Sequence, residues 1–287
     1  MRILFLSLYL LLGTILTAQE KKAFRIFDSK GASASYDTLL REVRQAEILF
    51  FGELHNNPIA HWLQYELLVD YHRTEDATIV LGMEMFEADN QLIIDEYVQE
   101  LISQKNFEDE ARLWSNYETD YKPLVEYARQ NRIPVIATNV PRRYANLVFR
   151  EGLPALDSLP EASGRFMAPL PIEVDMELPS YQNMLQMMGS GHGGGERLVQ
   201  AQALKDATMA HFIRENLPET GLFYHLNGSY HSDQREGIVW YLRQYGSQLK
   251  ILTITTVEQE DIDTLKDQHR GKADFIICVP GSMTKTY

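Results

Sequence analysis

The sequence predicts an α/β fold, a mainly parallel sheet flanked by helices, with one helical or loop insertion. Three observations predict it. Short apolar runs that read as buried strands alternate with helical patterns along most of the 287 residues. Two of those runs, Ile48-Leu49-Phe50-Phe51 and Leu222-Phe223-Tyr224-His225-Leu226, lead into Gly-x-x-His phrases, Gly52-Glu53-Leu54-His55 and Gly228-Ser229-Tyr230-His231. The alternation then breaks once, from Gly152 to Gly195.

In chain order, a strand at Glu47–Phe51 leads to a helix from about Pro58 to Tyr71, with Pro58 suited to a first helical turn. A strand at Thr78–Met83 precedes a helix near Asp89–Ser103 and a further helical region ending around Arg129. A strand at Ile133–Thr138 follows, and Pro141 opens a short helix reaching Phe149. The break, about 152–195, is rich first in Pro, then in Met (Met184, Met187, Met188), then in Gly. A stretch of this kind is a lid, a binding segment or a small helical insert, its methionines either contacting a ligand or forming a minor core. A long helix over 195–216, a strand at Leu222–Leu226, a helix at Gly237–Tyr245 and strands at Lys250–Thr256 and Asp274–Val279 complete the pattern.

Composition narrows the function classes. A formal charge of −13 and a pI near 5.1 exclude nucleic acid as the main partner, because phosphate backbones are held by a Lys/Arg surplus. Arg2, the apolar run Ile3 to Leu16 and Thr17-Ala18-Gln19-Glu20 have the layout of a secretory signal peptide, cleaved after Ala18. This gives a signal peptide at 1–18 and one domain at 19–287, periplasmic or secreted. No cysteine follows the apolar run, so anchoring through a lipidated N-terminal cysteine is not expected. The lone Cys278, in the run Phe275–Val279, reads as a buried small hydrophobe.

In parallel α/β sheets ligands bind beyond the carboxyl ends of the strands. Glu53, His55, Glu84, Asn139, Arg142 and His231 all fall on that edge. His55 and His231 with Glu53 and Glu84 form a mixed N/O donor set for a divalent ion such as zinc, manganese or cobalt. Without metal, the same groups suit general acid/base work, with Arg142 gripping an anionic group through its forked donors. Each residue alone also has a plain structural reading: a hydrogen-bonded strand-end histidine, a helix-capping Glu84, a surface Arg142. Asp206, among small and apolar neighbours, either forms an ion pair or faces the crevice; His192, between two glycines, could act as a ligand carried by the insertion. Neither a Gly-x-Ser-x-Gly elbow nor a phosphate-binding P-loop is present.

Five phrases in order resemble the ChaN family of haem-binding, iron-regulated envelope proteins in the Tiki superfamily. They are Gly52 to Pro58, Glu84-Met85-Phe86, Ile133 to Arg142, Gln202 to Ala210 and Asn227 to His231. The resemblance spans roughly residues 36–280. It implies an α/β core with a helical insertion, haem binding, work with the envelope iron-uptake machinery, and a homodimer that encloses haem. It also implies iron ligation through tyrosine, for which Tyr181 beside the Met-rich stretch is the candidate and His192 the second. The wider superfamily is similar to the metalloprotease Tiki and to erythromycin esterase, with His55 and His231 matching the motif histidines and Glu53 and Glu84 the acidic partners. A metal-dependent hydrolase of esters or peptides is therefore the alternative to haem binding. Two departures are the missing lipid-bearing cysteine and the weakly basic Ser232-Asp233-Gln234-Arg235 after the second motif.

Overall fold

The computed structural model describes residues 21–74, 78–188, 194–246 and 248–287. Eight strands form one sheet: β1 (Arg25–Asp28), β2 (Ser33–Ala34), β3 (Ile48–Glu53), β4 (Ile79–Glu87), β5 (Val135–Asn139), β6 (Leu222–Gly228), β7 (Ile251–Gln259) and β8 (Phe275–Pro280). Their order is β2-β1-β8-β7-β3-β6-β4-β5. The strands from β8 to β5 are parallel, whereas β1 runs antiparallel to both β2 and β8.

The parallel strands are apolar on both faces because helices cover both. Along β3, Leu49 and Phe51 enter one core while Ile48 and Phe50 enter the other. The first core packs under α2 (Pro58–Thr74), α3 (Gln91–Val98) and α5 (Lys122–Asn131). The second packs under α8 (Gly194–Glu215) and α9 (Ile238–Gln244). Helices α1 (Tyr36–Val43), α4 (Gln104–Glu110), α6 (Arg142–Glu151) and α7 (Pro179–Met188) complete the set. Cys278 is buried in β8 against Phe27, Val257 and Ile276, and burial pushes its thiol up to about 12.

Several boundaries differ from expectation. The edge strands β1 and β2 and helix α1 are additions; four- and two-residue strands are too short to show a period. The helix expected near Asp89–Ser103 is broken, because α3 stops at Val98, Glu100 takes a left-handed φ of 62° and α4 begins afresh at Gln104. The stretch after Gly152 holds two 3₁₀ turns, Leu153–Ser158 and Glu161–Phe166, and then α7. There Met184 packs on the second core while Met187 is 82% exposed. His192, its flanking glycines and the segment 1–18 lie outside the described residues. Among the described residues no helix is long and apolar enough to cross a membrane.

The topology places the site. From β3 the chain leaves a gap one strand wide before β4, and β6 later fills it. This puts the two motif strands side by side, with Glu53 opposite Gly228 in register. Pairing of β4 with β6 ends at Met83 opposite Leu226, so Glu84 is the first β4 residue past that ladder.

Candidate functional site

Close backbone approach explains the first motif glycine. A Cβ on Gly52 would stand 2.8 Å from the Ser229 Cα and 3.0 Å from the Ile254 carbonyl oxygen, so β3 can lie this tightly between its neighbours only without one. The chain then turns, and the His55 Nδ1 sits 2.8 Å from Glu53 Oε1. Glu53 is buried, and donors surround it: the Tyr121 hydroxyl at 2.6 Å on Oε1 and the Gln64 amide at 2.6 Å on Oε2. Such donors offset the cost of taking a carboxylate out of water. The His61 ring lies between Glu53 and Asp120, at 3.6 and 3.4 Å, with its Nε2 3.1 Å from the His55 carbonyl oxygen. Asn116 donates to that same carbonyl at 3.0 Å. The turn carrying His55 is therefore fixed from within.

The second motif builds a carboxylate–imidazole–carboxylate stack. The His231 Nε2 lies 3.2 Å from Glu84 Oε1, and its Nδ1 lies 2.5 Å from Asp206 Oδ1. Glu84 also accepts the Gly228 backbone N–H at 2.7 Å, and Asp206 accepts the Tyr181 hydroxyl at 3.0 Å. Burial favours neutral His231, but the charges of Glu84 and Asp206 overcome it and push the imidazole up to about 10. Burial likewise favours protonated Glu84, yet the His231 charge and hydrogen bond hold that carboxyl well below its usual range. For Asp206 burial prevails and the carboxyl is raised. Across this coupled trio the firm direction is an imidazolium at neutral pH, since each ring nitrogen faces a carboxylate oxygen.

The halves meet at Gly228. A Cβ there would stand 2.7 Å from His55 Nε2 and 3.7 Å from Glu84 Oε2, so the His55 ring lies against the second motif beside Glu84. Burial pushes His55 down; the Glu53 hydrogen bond and the charges of Glu84 and Glu53 bring it above its ordinary value. Its imidazole remains 35% exposed, packed edge-on against Trp114 at 4.9 Å. The crevice is an open pocket of about 490 Å³ lined by Glu53, His55, Gln202, Tyr230, His231 and Tyr287 among others.

The family model for haem-binding uptake proteins of the Tiki superfamily, ChaN, matches residues 39–242. This chain belongs to the ChaN family. Among solved structures it is similar to a ChaN of Campylobacter jejuni described as binding haem cofacially, at 18% identity and a TM-score of 0.69, covering 92% of this chain and 99% of that one. A succinoglycan biosynthesis protein follows at 12% identity and a TM-score of 0.50, covering 90% and 94%. The erythromycin esterase EreC, at 9% identity, 90% and 83% coverage and a TM-score of 0.45, is too distant in shape to carry an argument. No curated protein matches in sequence. At these identities the structural likenesses show the fold.

Within this ChaN chain the remaining expected residues are distributed as follows. Of the two roles expected of it, Asp206 takes the ion pair, with His231, and does not line the pocket. Asn139 sits behind the site, its amide donating to the Glu84 carbonyl at 3.1 Å, and does not line the pocket. Arg142 is exposed in the first turn of α6 and does not line the pocket, whereas its neighbour Arg143 pairs with Asp89 and lies over the Tyr144 ring. Tyr181 is 1% exposed and its hydroxyl is given to Asp206, so it presents nothing to a ligand.

The side chains expected to hold a divalent ion are engaged with one another and with their neighbours. Both His231 nitrogens face carboxylates, and the Glu53 oxygens already accept from Tyr121, Gln64 and His55. Among the described residues no group of three or more His, Cys, Asp or Glu side chains is arranged to hold a metal ion. Sequence reasoning missed Gln64, His61, Asp120, Tyr121, Gln202 and Tyr287. His61 and Gln64 share one face of α2 at i, i+3 spacing, a signal that could have been read. Asp120 and Tyr121 come from a π-helical turn, Tyr117–Tyr121, which no motif announces.

Proposed function

We propose that this protein binds haem in the crevice at the carboxyl edge of the sheet and serves haem and iron acquisition as an exported protein. Membership of the ChaN family supports this, and one observation carries it: the Glu53–His55 pair at the pocket. A carboxylate holding Nδ1 fixes the imidazole and leaves Nε2, which has no partner among the described residues, as a donor. Metal-ligating histidines are typically oriented by such a carboxylate. The pocket, about 490 Å³ and open to solvent, admits part of a porphyrin, and Tyr230 offers a half-exposed ring. When bound, haem supplies an iron centre; the chain's part is to orient His55 and to shield one face of the ring.

Titration with hemin should give a saturable Soret band, and His55→Ala should shift and weaken it. A parent protein without saturable absorbance would remove the reading. Light scattering with and without hemin tests the homodimer, for which a doubling of mass is expected. Export is checked by intact-mass analysis of protein secreted from its full-length precursor, expected to begin at Gln19.

A second reading, hydrolysis of an ester or peptide bond, is favoured by the same pair. Nε2 would take a proton from water as its oxygen attacks the carbonyl carbon, Glu53 would stabilise the resulting imidazolium, and that imidazolium would return the proton to the departing alcohol or amine as the scissile bond breaks. The base form of His55 is needed, so activity should rise with pH through its raised pKa. Hydrolysis of 4-nitrophenyl acetate that His55→Ala leaves unchanged would eliminate this second reading.

A further inference from the structure

We propose that residues 281–287 form a strap closing one side of the pocket, and that Tyr287 at its end packs its ring against a planar conjugated ligand. The choice of ligand class rests on the haem reading; the closure itself does not.

Beyond β8 the chain turns back instead of leaving the domain. Gly281 donates its N–H to the Gln259 carbonyl at 3.0 Å, and Met283 donates to the Pro280 carbonyl at 2.9 Å. Lys285 pairs with Glu258 at 2.5 Å. Thr286 then donates its N–H to the Asn56 carbonyl at 3.0 Å, fastening the strap to the residue that follows His55. The tether is backbone to backbone, so it specifies a path for the chain and not a side-chain identity.

That path sets Tyr287 at the pocket with Glu53, His55 and His231, although the site is built from strands β3, β4 and β6. Tyr287 as a residue is 66% exposed. Buried tyrosines of the site give their hydroxyls to carboxylates, Tyr121 to Glu53 and Tyr181 to Asp206. Tyr287 instead lines the pocket in the company of Tyr230, which is part-exposed and gives its hydroxyl to the Ser180 carbonyl. Two tyrosines brought to one crevice by different elements suit a flat apolar surface.

The test uses the full chain, Tyr287→Ala, Tyr287→Phe and Thr286→Pro, the last removing the tethering N–H. Without ligand, labelling of His55 by diethyl pyrocarbonate is followed by peptide mass mapping. Tyr287→Ala and Thr286→Pro should label several-fold faster than the parent; equal rates would overturn the closure. With ligand, hemin and iron-free protoporphyrin IX are titrated separately. Tyr287→Ala should weaken both by about fivefold to tenfold, the scale of one lost aromatic contact, and Tyr287→Phe should keep both. Unchanged affinities in Tyr287→Ala, or loss of hemin alone in Tyr287→Phe, would overturn the ring contact. A parent that binds neither porphyrin removes the haem reading and the ring contact together, while the labelling rates still decide the closure.

Discussion

Replacing Glu84 with alanine is expected to lower the melting temperature by about 10 °C, the largest single effect at this site. The carboxylate is buried, accepts the Gly228 N–H at 2.7 Å and faces the imidazolium of His231 at 3.2 Å. Its removal leaves a buried N–H without an acceptor and a buried cation with half its compensation. Breaking one side of a buried pair costs about 3–5 kcal/mol, and a chain of this size loses about 2–4 °C per kcal/mol. The pair itself need not stabilise the fold relative to apolar residues of similar volume. The double variant Glu84→Leu with His231→Leu should therefore lose less stability than the sum of Glu84→Leu and His231→Leu alone, a non-additivity that a thermodynamic cycle measures. Melting of Glu84→Ala within about 2 °C of the parent, inside the usual range of surface changes, would show that His231 carries no buried charge.

The same trio dictates how stability responds to pH. His231 in the folded chain holds its proton up to about 10, against an ordinary value of 6.5. Its contribution is fully present below 6.5 and is lost as pH climbs through about 10. Asp206, also raised, acts in the same sense: its contribution is full below 3.8 and is lost as pH climbs through its raised pKa. Glu84 acts oppositely: held below its ordinary 4.5, it contributes above that value and the contribution fades as pH falls through its depressed pKa. Thermal melts should thus decline from pH 7 to pH 10, and the decline should flatten in His231→Gln. A parent with a level profile over that interval would contradict the imidazolium assignment.

The parallel part of the sheet was legible because strands buried on both faces are uninterrupted apolar runs, and Ile48–Phe51 and Leu222–Leu226 are clear examples. The meeting of Glu53, His55, Glu84 and His231 was legible from their places at strand exits. What local sequence could not carry is which strand neighbours which. The register of Glu53 opposite Gly228 exists because β6 inserts between β3 and β4, a decision taken by packing over the whole domain. Arg142 and Arg143 are indistinguishable as letters; the rotation of α6 gives Asp89 and the Tyr144 ring to Arg143 and leaves Arg142 facing outward. Asp206 was readable as unusual because Ala203, Ala207 and Ala210 around it are buried, and a carboxylate on such a face needs a partner. Tyr121 and Tyr287 reach the site through a π-helical turn and a returning strap, neither of which has a period.

Gly228→Ala is expected to cost the site its ligand without straining the backbone. The Gly228 backbone sits at φ −58° and ψ 137°, a conformation any residue adopts, so alanine introduces no backbone strain. The added Cβ would instead stand 2.7 Å from His55 Nε2 and 2.8 Å from its Cε1. Something must move, and the part-exposed His55 ring can swing outward at the cost of its hydrogen bond to Glu53, about 1.5–3 kcal/mol for a bond to a charged group. That displaces Nε2, so hemin affinity, or ester hydrolysis if that reading holds, should fall by about tenfold or more. Gly237→Ala provides the contrast, because its φ of +54° and a Cβ 2.4 Å from the His231 carbonyl oxygen place strain and clash on the backbone. There the melting temperature should fall first. A Gly228→Ala protein that keeps full hemin affinity would place the ligand away from His55, and the crevice between the two motifs would then need another occupant.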